Sequence, residues 1–154
     1  MQIGVIGAGV CSQELAKLAY EVGYYIGQSK AILICGGLGG VMEEACRGAK
    51  DAGGVTVGVL PGLSSTDSNP YLDVKMVTAL NEARNLIIVR SSQAIIAISG
   101  EYGTLSEIAF ALKFKIPIIG LKTWNLGSNV PLLKAKTPQE AIQLALKLGK
   151  IHES

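Results

Sequence analysis

The sequence predicts a doubly wound α/β fold, with a Rossmann-like, mainly parallel sheet and helices on both faces. Short aliphatic runs alternate with helix-length segments along the chain, a pattern typical of parallel strands joined by right-handed helical crossovers. The aliphatic runs are apolar throughout rather than at every second residue, which indicates strands covered on both faces. No linker or internal repeat interrupts the pattern, so we expect a single domain spanning residues 1–154.

The predicted strands are the short apolar runs between turn signals. They are Gln2–Ile6, Ala31–Cys35, Val55–Leu60, Ala94–Ser99 and Pro117–Leu121. Between them lie segments whose apolar residues recur at helical spacing. These predicted helices are Gln13–Gln28, Val41–Asp51, Asn81–Val89, Leu105–Lys115 and Pro138–Leu148. The polar, turn-rich stretch Pro61–Pro70 follows the end of a strand, where it would either cover a ligand crevice or form an ordinary surface loop.

Composition narrows the class of protein. Hydrophobic residues make up 49% of the chain and aromatic residues only 5%, so the core must be aliphatic. The net charge is +2, and no basic stripe interleaved with aromatic residues is present, which argues against a nucleic-acid partner. No apolar run approaches the ~18 residues of a membrane span. The three cysteines lack metal-site spacing, and we expect reduced thiols in a cytoplasmic protein.

Two glycine turns carry the prediction of a binding site. Gly36, Gly37, Gly39 and Gly40 follow one predicted strand, and the segment Ser99–Glu107 follows another. A strand, a glycine turn and a helix start place backbone N–H groups where they can hold an anion. The carboxyl ends of parallel strands lie at one edge of the sheet, so two such turns predict a phosphate-bearing ligand held from two sides.

Two nucleotide-binding motifs are only partly present. Gly7 and Gly9 follow the first strand like the start of a dinucleotide fingerprint, but no acidic residue ends the second strand to bind the ribose of NAD. We interpret these two glycines as a tight turn near a ligand. The Gly36–Gly40 turn lacks the Lys-Ser/Thr ending of a P-loop, which argues against ATP hydrolysis of that kind.

The spacing of Thr104 and Glu107 has two interpretations. It matches a capping box, in which the hydroxyl and the carboxylate bond to N–H groups at a helix start. Thr137 and Glu140 have the same spacing without a glycine turn before them, and we interpret that second pair as purely structural. Gly100 and Gly103 both precede Thr104, Gly103 directly. The first pair is therefore also a candidate for ligand binding or catalysis.

Few residues are available for other chemistry. Arg84 would suit a phosphate in a bidentate contact, or it is an exposed residue of an amphipathic helix. The one histidine, His152, lies near the C-terminal end of the sequence, and no His/Cys cluster suits zinc. If the protein is an enzyme, carboxylates and arginine must carry the reaction.

The chain resembles the LOG-like superfamily, also called SLOG, and within it the branch of molybdenum-cofactor-carrier-like proteins. The resemblance rests on Gly36–Glu43, Ala83–Asn85 and Gly103–Ala109, and it extends from the first strand to about Leu121. It implies a Rossmann-like domain that binds a nucleotide or a molybdopterin-type ligand, assembled as a homodimer or a homotetramer.

The resemblance also assigns roles to individual residues. LOG enzymes cleave a nucleoside monophosphate into free base and ribose 5-phosphate, and by resemblance Arg84 is the catalytic arginine and Glu107 the carboxylate that assists the departing ribose. Gly100, Glu101, Tyr102, Gly103 and Thr104 would hold the phosphate. Asn85, which stands where LOG enzymes have lysine, is a further candidate contact.

This chain departs from the LOG signature at several positions. Ser99 replaces a proline and Glu101 a glycine, and Leu80 and Asn81 replace a Met-His pair. Glu101 adds a negative charge beside the predicted phosphate turn. These changes favour a binding protein for a nucleotide-like or pterin-phosphate ligand, with a nucleoside monophosphate phosphoribohydrolase as the alternative.

Members of this superfamily have also been named possible lysine decarboxylases. Pyridoxal chemistry needs a lysine inside the cofactor pocket. Lys113 and Lys115 lie at the far end of their predicted helix from the glycine turn, so we do not expect that activity.

Overall fold

The computed structural model describes residues 1–153 and confirms the doubly wound α/β fold. The described residues form seven strands: β1 Gln2–Gly7, β2 Ile32–Cys35, β3 Val55–Leu60, β4 Val74–Val77, β5 Ala94–Ile98, β6 Ile118–Leu121 and β7 Leu133–Lys134. They make one sheet in the order β4-β3-β2-β1-β5-β6-β7, and every neighbouring pair is parallel.

Five α-helices cover the sheet. They are α1 Gln13–Gln28, α2 Val41–Asp51, α3 Arg84–Arg90, α4 Tyr102–Lys113 and α5 Pro138–Glu153. One cluster of buried aliphatic residues joins the sheet to α1, α2 and α5, and a second cluster joins it to α3 and α4 on the opposite face. Strand residues contribute to both clusters in alternation, Ile95 to one and Ile96 to the other, which explains why the strands are apolar throughout.

The strand order reverses at β1, and this reversal positions the site. From β1 the chain continues through β2, β3 and β4 towards one side of the sheet, and β5, β6 and β7 extend to the other. The helix after β1 packs on one face, whereas the helix after β5 packs on the opposite face. The two connections therefore diverge and leave a crevice beyond the carboxyl ends of β1 and β5, where ligands bind in such sheets.

The predicted elements are present, and two further strands occur at the sheet edges. All five predicted strands agree with the structure within one residue at each end, and α1 and α2 have the predicted bounds. The strands β4 and β7 were not predicted. Both are short edge strands, and every residue of both is exposed. Neither has the continuous apolar run that marks the buried strands.

The capping-box interpretation of Thr104 and Glu107, one of the two that the sequence left open, was wrong. The helix α4 begins at Tyr102 rather than Leu105, and its N-cap is Glu101, whose side chain makes no capping hydrogen bond. Thr104 and Glu107 lie inside the helix and are buried. The structural prediction for the other pair is confirmed: the Thr137 hydroxyl accepts from the N–H of Glu140, and the Glu140 carboxylate accepts from the N–H of Lys136.

Two other helices differ from their predicted bounds. The segment predicted as one helix over Asn81–Val89 is a 3₁₀ turn, Asn81–Ala83, followed by α3. Arg84 therefore begins a helix instead of lying near its middle. The last helix, α5, continues past Leu148 to Glu153. Within residues 1–153, no helix combines the length and the apolar character needed to cross a bilayer.

Candidate functional site

A cavity of about 460 Å³, the first cavity, lies in the crevice beyond the carboxyl ends of β1 and β5, where the strand order reverses. Its volume is within the range of small-molecule sites, roughly 300–1,000 Å³. It is lined by residues from the turns after β1, β2 and β5 and from the start of α3: Val5, Ile6, Gly7, Ala8, Gly9, Val10, Gly36, Leu38, Met42, Pro61, Asn81, Glu82, Arg84, Asn85, Glu101, Gly103, Thr104 and Glu107.

The turn after β1 is locked to the start of α2. The N–H of Val41 donates to the carbonyl of Ala8 at 2.9 Å, so this N–H is not free for a ligand. Gly40 has a φ of +65°, and a Cβ placed there would lie 2.3 Å from the same carbonyl oxygen. Only glycine permits both the backbone conformation and the close approach. Gly40 therefore holds two walls of the first cavity together.

Two hydrogen bonds from Asn69 hold the turn Gly36–Gly40 in place. The buried Asn69 donates its backbone N–H to the carbonyl of Gly37 at 2.9 Å and its side-chain amide to the carbonyl of Leu38 at 3.0 Å. The N–H of Gly37 donates to Sγ of Cys35 at 3.3 Å. Asn69 is the second-last residue of the polar stretch Pro61–Pro70, whose first residue, Pro61, lines the cavity while its middle residues are exposed. Through Asn69, part of that stretch thus fixes the turn that borders the site.

The start of α4 forms the opposite wall. Gly100 has a φ of +107° and precedes the helix, and the first N–H bonded within the helix is that of Leu105, to the carbonyl of Glu101 at 3.0 Å. The N–H groups of Gly103 and Thr104 precede that bond and have no helical acceptor. Both residues line the first cavity, so this wall offers N–H groups at the positive end of a helix dipole.

Arg84 and Glu107 meet in the interior of the first cavity. Nη1 of Arg84 lies 3.9 Å from Oε1 of Glu107, with side chains only 11% and 8% exposed. The same Nη1 donates to Oδ1 of Asn85 at 2.7 Å, and the Asn85 amide donates to the Ser106 hydroxyl at 3.3 Å. Nε of Arg84 is buried and has no hydrogen-bond partner among residues 1–153. Because a buried donor without an acceptor is costly, the guanidinium has capacity left for a ligand.

Burial determines the charge on this pair. It raises the pKa of Glu107 to about 8, although the positive charge of Arg84 opposes the shift. Burial also lowers the pKa of Arg84, and Glu107 opposes that shift. An arginine nevertheless stays cationic in proteins. At neutral pH most of Glu107 is therefore protonated and compensates little of the positive charge that Arg84 supplies in the interior of the first cavity.

The rim of the first cavity is more acidic than its interior. Glu82 and Glu101 line it and are both exposed, where solvent screens their charge. No lysine lines this cavity among the described residues, and Lys113 and Lys115 are exposed at the far end of α4. Nor do residues 1–153 contain a group of three His, Cys, Asp or Glu side chains placed to hold a metal ion.

Most of the residues proposed from sequence meet at this cavity. Those that line it are Gly7, Gly9, Gly36, Arg84, Asn85, Glu101, Gly103, Thr104 and Glu107. Gly37, Gly39, Gly40, Gly100 and Tyr102 belong to the same turns but do not line it. Arg84 is not the exposed helix residue of the second interpretation, because its side chain is 11% exposed. Binding by any of these residues remains a prediction.

Sequence reasoning missed several lining residues and one supporting residue. Val10, Leu38, Met42, Pro61 and Glu82 line the cavity without having been proposed. Each lies within four residues of a motif that was singled out, so proximity to the turns was the available signal. Asn69 belongs to the stretch Pro61–Pro70 that was singled out, but its contacts with the glycine turn depend on the path of the chain after β3 and could not be predicted.

The match to known proteins covers almost the whole chain. Residues 1–150 match the sequence model of the SLOG cluster4 family. An uncharacterized protein of Archaeoglobus fulgidus is 44% identical over 146 residues, which is 95% of either chain. These are matches along the full length of the domain.

Two solved structures are similar in fold and sequence. The molybdenum cofactor binding protein of the phototrophic bacterium Rippkaea orientalis superposes with a TM-score of 0.89 at 38% identity, covering 95% of each chain. The Moco carrier protein of Chlamydomonas reinhardtii superposes with a TM-score of 0.85 at 37% identity, covering 96% of this chain and 98% of its own.

Proposed function

The chain belongs to the SLOG cluster4 family, and from that premise we propose that it binds a nucleotide-like or pterin-phosphate ligand in the first cavity. A molybdopterin-type ligand is the specific candidate, because two similar structures are named as molybdenum cofactor binding or carrier proteins. The observation that carries the proposal is the convergence of Arg84 and the N-terminus of α4 on one cavity at the switch point.

The electrostatics of the cavity support an anionic ligand. Most of Glu107 is protonated at neutral pH because its pKa is about 8, so it compensates little of the charge of Arg84. Arg84 lines the cavity, and its guanidinium could donate to one phosphate oxygen while others accept from the N–H groups of Gly103 and Thr104. Glu82 and Glu101 lie on the exposed rim, where their repulsion is screened.

The space also suits such a ligand. A Cβ at Gly36 would lie 2.6 Å from Nη1 of Arg84, and one at Gly7 would lie 2.4 Å from the carbonyl oxygen of Ile98. Glycine at position 36 leaves room for the Arg84 side chain at the cavity, and glycine at position 7 permits the close approach of this turn to β5.

The test is binding measured with and without Arg84. Wild-type protein and Arg84→Met would be titrated by calorimetry with AMP, GMP, ribose 5-phosphate and molybdopterin, and thermal unfolding would be recorded with each. We expect stabilisation of about 2.7 kcal/mol at 100 times the dissociation constant, and weaker binding by Arg84→Met. Arg90→Met, at the other end of α3, is the control. If none of these compounds stabilises the wild type, the proposal fails.

A second function, hydrolysis of a nucleoside monophosphate, is favoured by the pairing of Arg84 and Glu107 in one cavity. Water would add to the anomeric carbon as the N-glycosidic bond breaks, giving free base and ribose 5-phosphate. The carboxylate of Glu107 would stabilise the positive charge that develops on the ribose. With a pKa of about 8, that form is in the minority at neutral pH, so hydrolysis would increase with pH through about 8.

Chromatography for free base distinguishes the two functions. Wild type, Glu107→Gln and the control Arg90→Met would be incubated with several nucleoside monophosphates at pH 6.5 and pH 9. Release by the wild type and the control, with loss in Glu107→Gln, supports hydrolysis. Absence of release at both pH values, together with measurable binding, leaves the carrier-like function alone.

We also propose that the protein is a homodimer or a homotetramer. The edge strand β4 exposes Val74, Met76 and Val77 to 44–47%, and a nearby Leu80 is 48% exposed. Edge strands with apolar side chains are sites of association. Light scattering after size exclusion would give the mass, and a monomer at micromolar concentration would contradict this proposal.

A further inference from the structure

A second cavity, of about 210 Å³, lies beside the first at the same edge of the sheet. It is formed where β6 ends and along β7, and its polar lining consists of Lys122, Thr123, Trp124, Asn125 and Lys134. Leu132 and Ala135 complete an apolar floor. Because β6 is the neighbour of β5, the second cavity is one strand away from the wall of the first cavity that α4 provides.

The charged side chains that line the second cavity are cationic. Two lysines and no carboxyl side chain line it among the described residues. Lys134 donates to Oδ1 of Asn125 at 3.1 Å. Lys122 pairs with Glu14, whose side chain is 69% exposed and outside the lining. Such exposed pairs contribute little, so both ammonium groups can turn to an anion.

Direct hydrogen bonds join the wall of the second cavity to that of the first. The indole N–H of Trp124 donates to the carbonyl of Glu101 at 3.3 Å, and Glu101 lines the first cavity. The Thr123 hydroxyl donates to the carbonyl of Ser99 at 2.6 Å. The rings of Tyr102 and Trp124 are 6.0 Å apart. The wall of the second cavity is thus attached to the turn that begins α4.

The backbone at this junction is strained. Lys122 has a φ of +53° and Ser99 a φ of +52°, and both follow the last residue of their strands by one position. A non-glycine residue is uncommon in this region, and such conformations cost of order 1–3 kcal/mol and cluster at functional sites. The strain directs the chain after β5 and β6 so that residues 122–125 can face the second cavity.

We propose that the second cavity is a phosphate subsite, and that the ligand spanning both cavities carries two phosphate groups, as a dinucleotide does. Lys122 and Lys134 bind the second phosphate, and the indole of Trp124 forms the adjoining wall. This inference rests on the proposed function, since the remainder of the ligand occupies the first cavity. It adds that a ligand with two phosphates binds more tightly than its monophosphate.

The single tryptophan of the chain provides the readout. In a ¹H–¹⁵N correlation spectrum its indole N–H gives one signal, which needs no assignment. We expect inorganic phosphate to shift this signal saturably in wild type and in Arg84→Met, but with at least tenfold weaker affinity in Lys122→Gln and Lys134→Gln, as the loss of a charge-assisted hydrogen bond predicts. Lys75→Gln, on the edge strand β4, should match the wild type.

A second arm tests whether one ligand spans both cavities. AMP and diadenosine pyrophosphate would be titrated calorimetrically into each variant. Tighter binding of the two-phosphate compound by wild type and Lys75→Gln, lost in Lys134→Gln, supports the proposal. A shift with inorganic phosphate but no gain from the second phosphate overturns the spanning ligand. An indole signal that does not respond, or responds equally in the lysine variants, overturns the subsite.

The outcomes separate this inference from the proposed function. If AMP binds in an Arg84-dependent manner while Lys122→Gln and Lys134→Gln behave like the wild type, the first cavity is a binding site and the second is not. If no compound binds to the wild type, both proposals fail. The dispersion of the same spectra verifies that each variant is folded.

Discussion

Nη1 of Arg84 and Oε1 of Glu107 lie 3.9 Å apart in the first cavity, beyond hydrogen-bonding distance, although both side chains are almost completely buried. Arg84 bonds instead to its chain neighbour Asn85 at 2.7 Å. A buried ion pair is stabilising only with close geometry and additional hydrogen bonds. This pair lacks the close geometry, and burial raises the pKa of Glu107 to about 8 although the charge of Arg84 opposes the rise. The arrangement suits a ligand that supplies the missing partner for Arg84.

The stability of the protein should decrease as the pH rises towards 8. The pKa of Glu107 increases from an ordinary 4.5 to about 8 in the fold because of burial, so between these values the folded state holds a proton that the unfolded state has released. Stability is therefore greatest below about pH 4.5 for this group and is lost at up to about 1.4 kcal/mol per pH unit. Glu107→Gln, which is neutral at every pH, should lack this loss.

Urea unfolding of wild type and Glu107→Gln at pH 5, 6.5 and 8.5 measures the effect. Glu21→Gln on α1, outside the cavity, is the matched control. Parallel pH profiles for wild type and Glu107→Gln would contradict the raised pKa.

Affinity for an anionic ligand should also decline above pH 8. Deprotonation of Glu107 places a negative charge 3.9 Å from Nη1 of Arg84, where it competes with the ligand for the guanidinium. Calorimetric titration with AMP at pH 6.5 and pH 9 should show weaker binding at the higher pH in the wild type and a smaller change in Glu107→Gln. Equal pH dependence in the two proteins would show that Glu107 does not control the charge of the site.

Gly36→Ala should impair binding while leaving the fold intact. The new Cβ would lie 2.6 Å from Nη1 of Arg84 and 2.8 Å from Sδ of Met42, both at the ends of flexible side chains that can move aside. Displacing Arg84 should weaken ligand binding about tenfold or more, the loss of a charge-assisted hydrogen bond. Gly62→Ala, where a Cβ has nothing within 4 Å, is the control. Undiminished affinity in Gly36→Ala would remove Arg84 from the proposed contacts.

Two glycines of the same turn should respond oppositely to alanine. At Gly100, φ is +107° and a Cβ would lie 2.2 Å from Oγ1 of Thr104, so Gly100→Ala should cost about 1–3 kcal/mol. At Gly103, inside α4, a Cβ has nothing within 4 Å, and Gly103→Ala should stabilise by about 0.4–1 kcal/mol. Denaturant unfolding measures the stability change of each variant. Equal changes would contradict the backbone conformation of residues 100–103 described above.

Only one of the three thiols should react in the native protein. Cys35 and Cys46 are buried with their sulfur atoms 3.5 Å apart, and the hydrogen bond to Cys35, together with burial, raises the pKa of Cys46. Cys11 is half-buried, and burial and the charge of Glu44 raise its pKa. Intact mass after iodoacetamide should show one slow adduct without denaturant and three in urea. A second adduct in the native protein would show that the packing around Cys35 and Cys46, next to the Gly36–Gly40 turn, opens.

Local sequence pattern was sufficient to predict the buried strands. It was insufficient to predict the edge strands of the sheet and the first residues of some helices. Strands β1, β2, β3, β5 and β6 are continuous apolar runs, because parallel strands covered on both faces admit little else. The edge strands β4 and β7 have no such constraint. The start of α4 was misplaced because Thr104 and Glu107 match a capping box by spacing, whereas burial against the sheet and cavity fixes both residues within the helix.

Local sequence pattern predicted the fold class and the glycine turns at the carboxyl ends of strands, because periodicity and glycine's backbone freedom are local properties. The resemblance to the LOG-like superfamily is what joined Arg84 and Glu107 as candidate catalytic residues. Neither could show that the turns after β1, β2 and β5 enclose one cavity, that Asn69 supports it, or that burial gives Glu107 a pKa of about 8. Those properties depend on the strand order and on desolvation, which residues distant in the chain produce together.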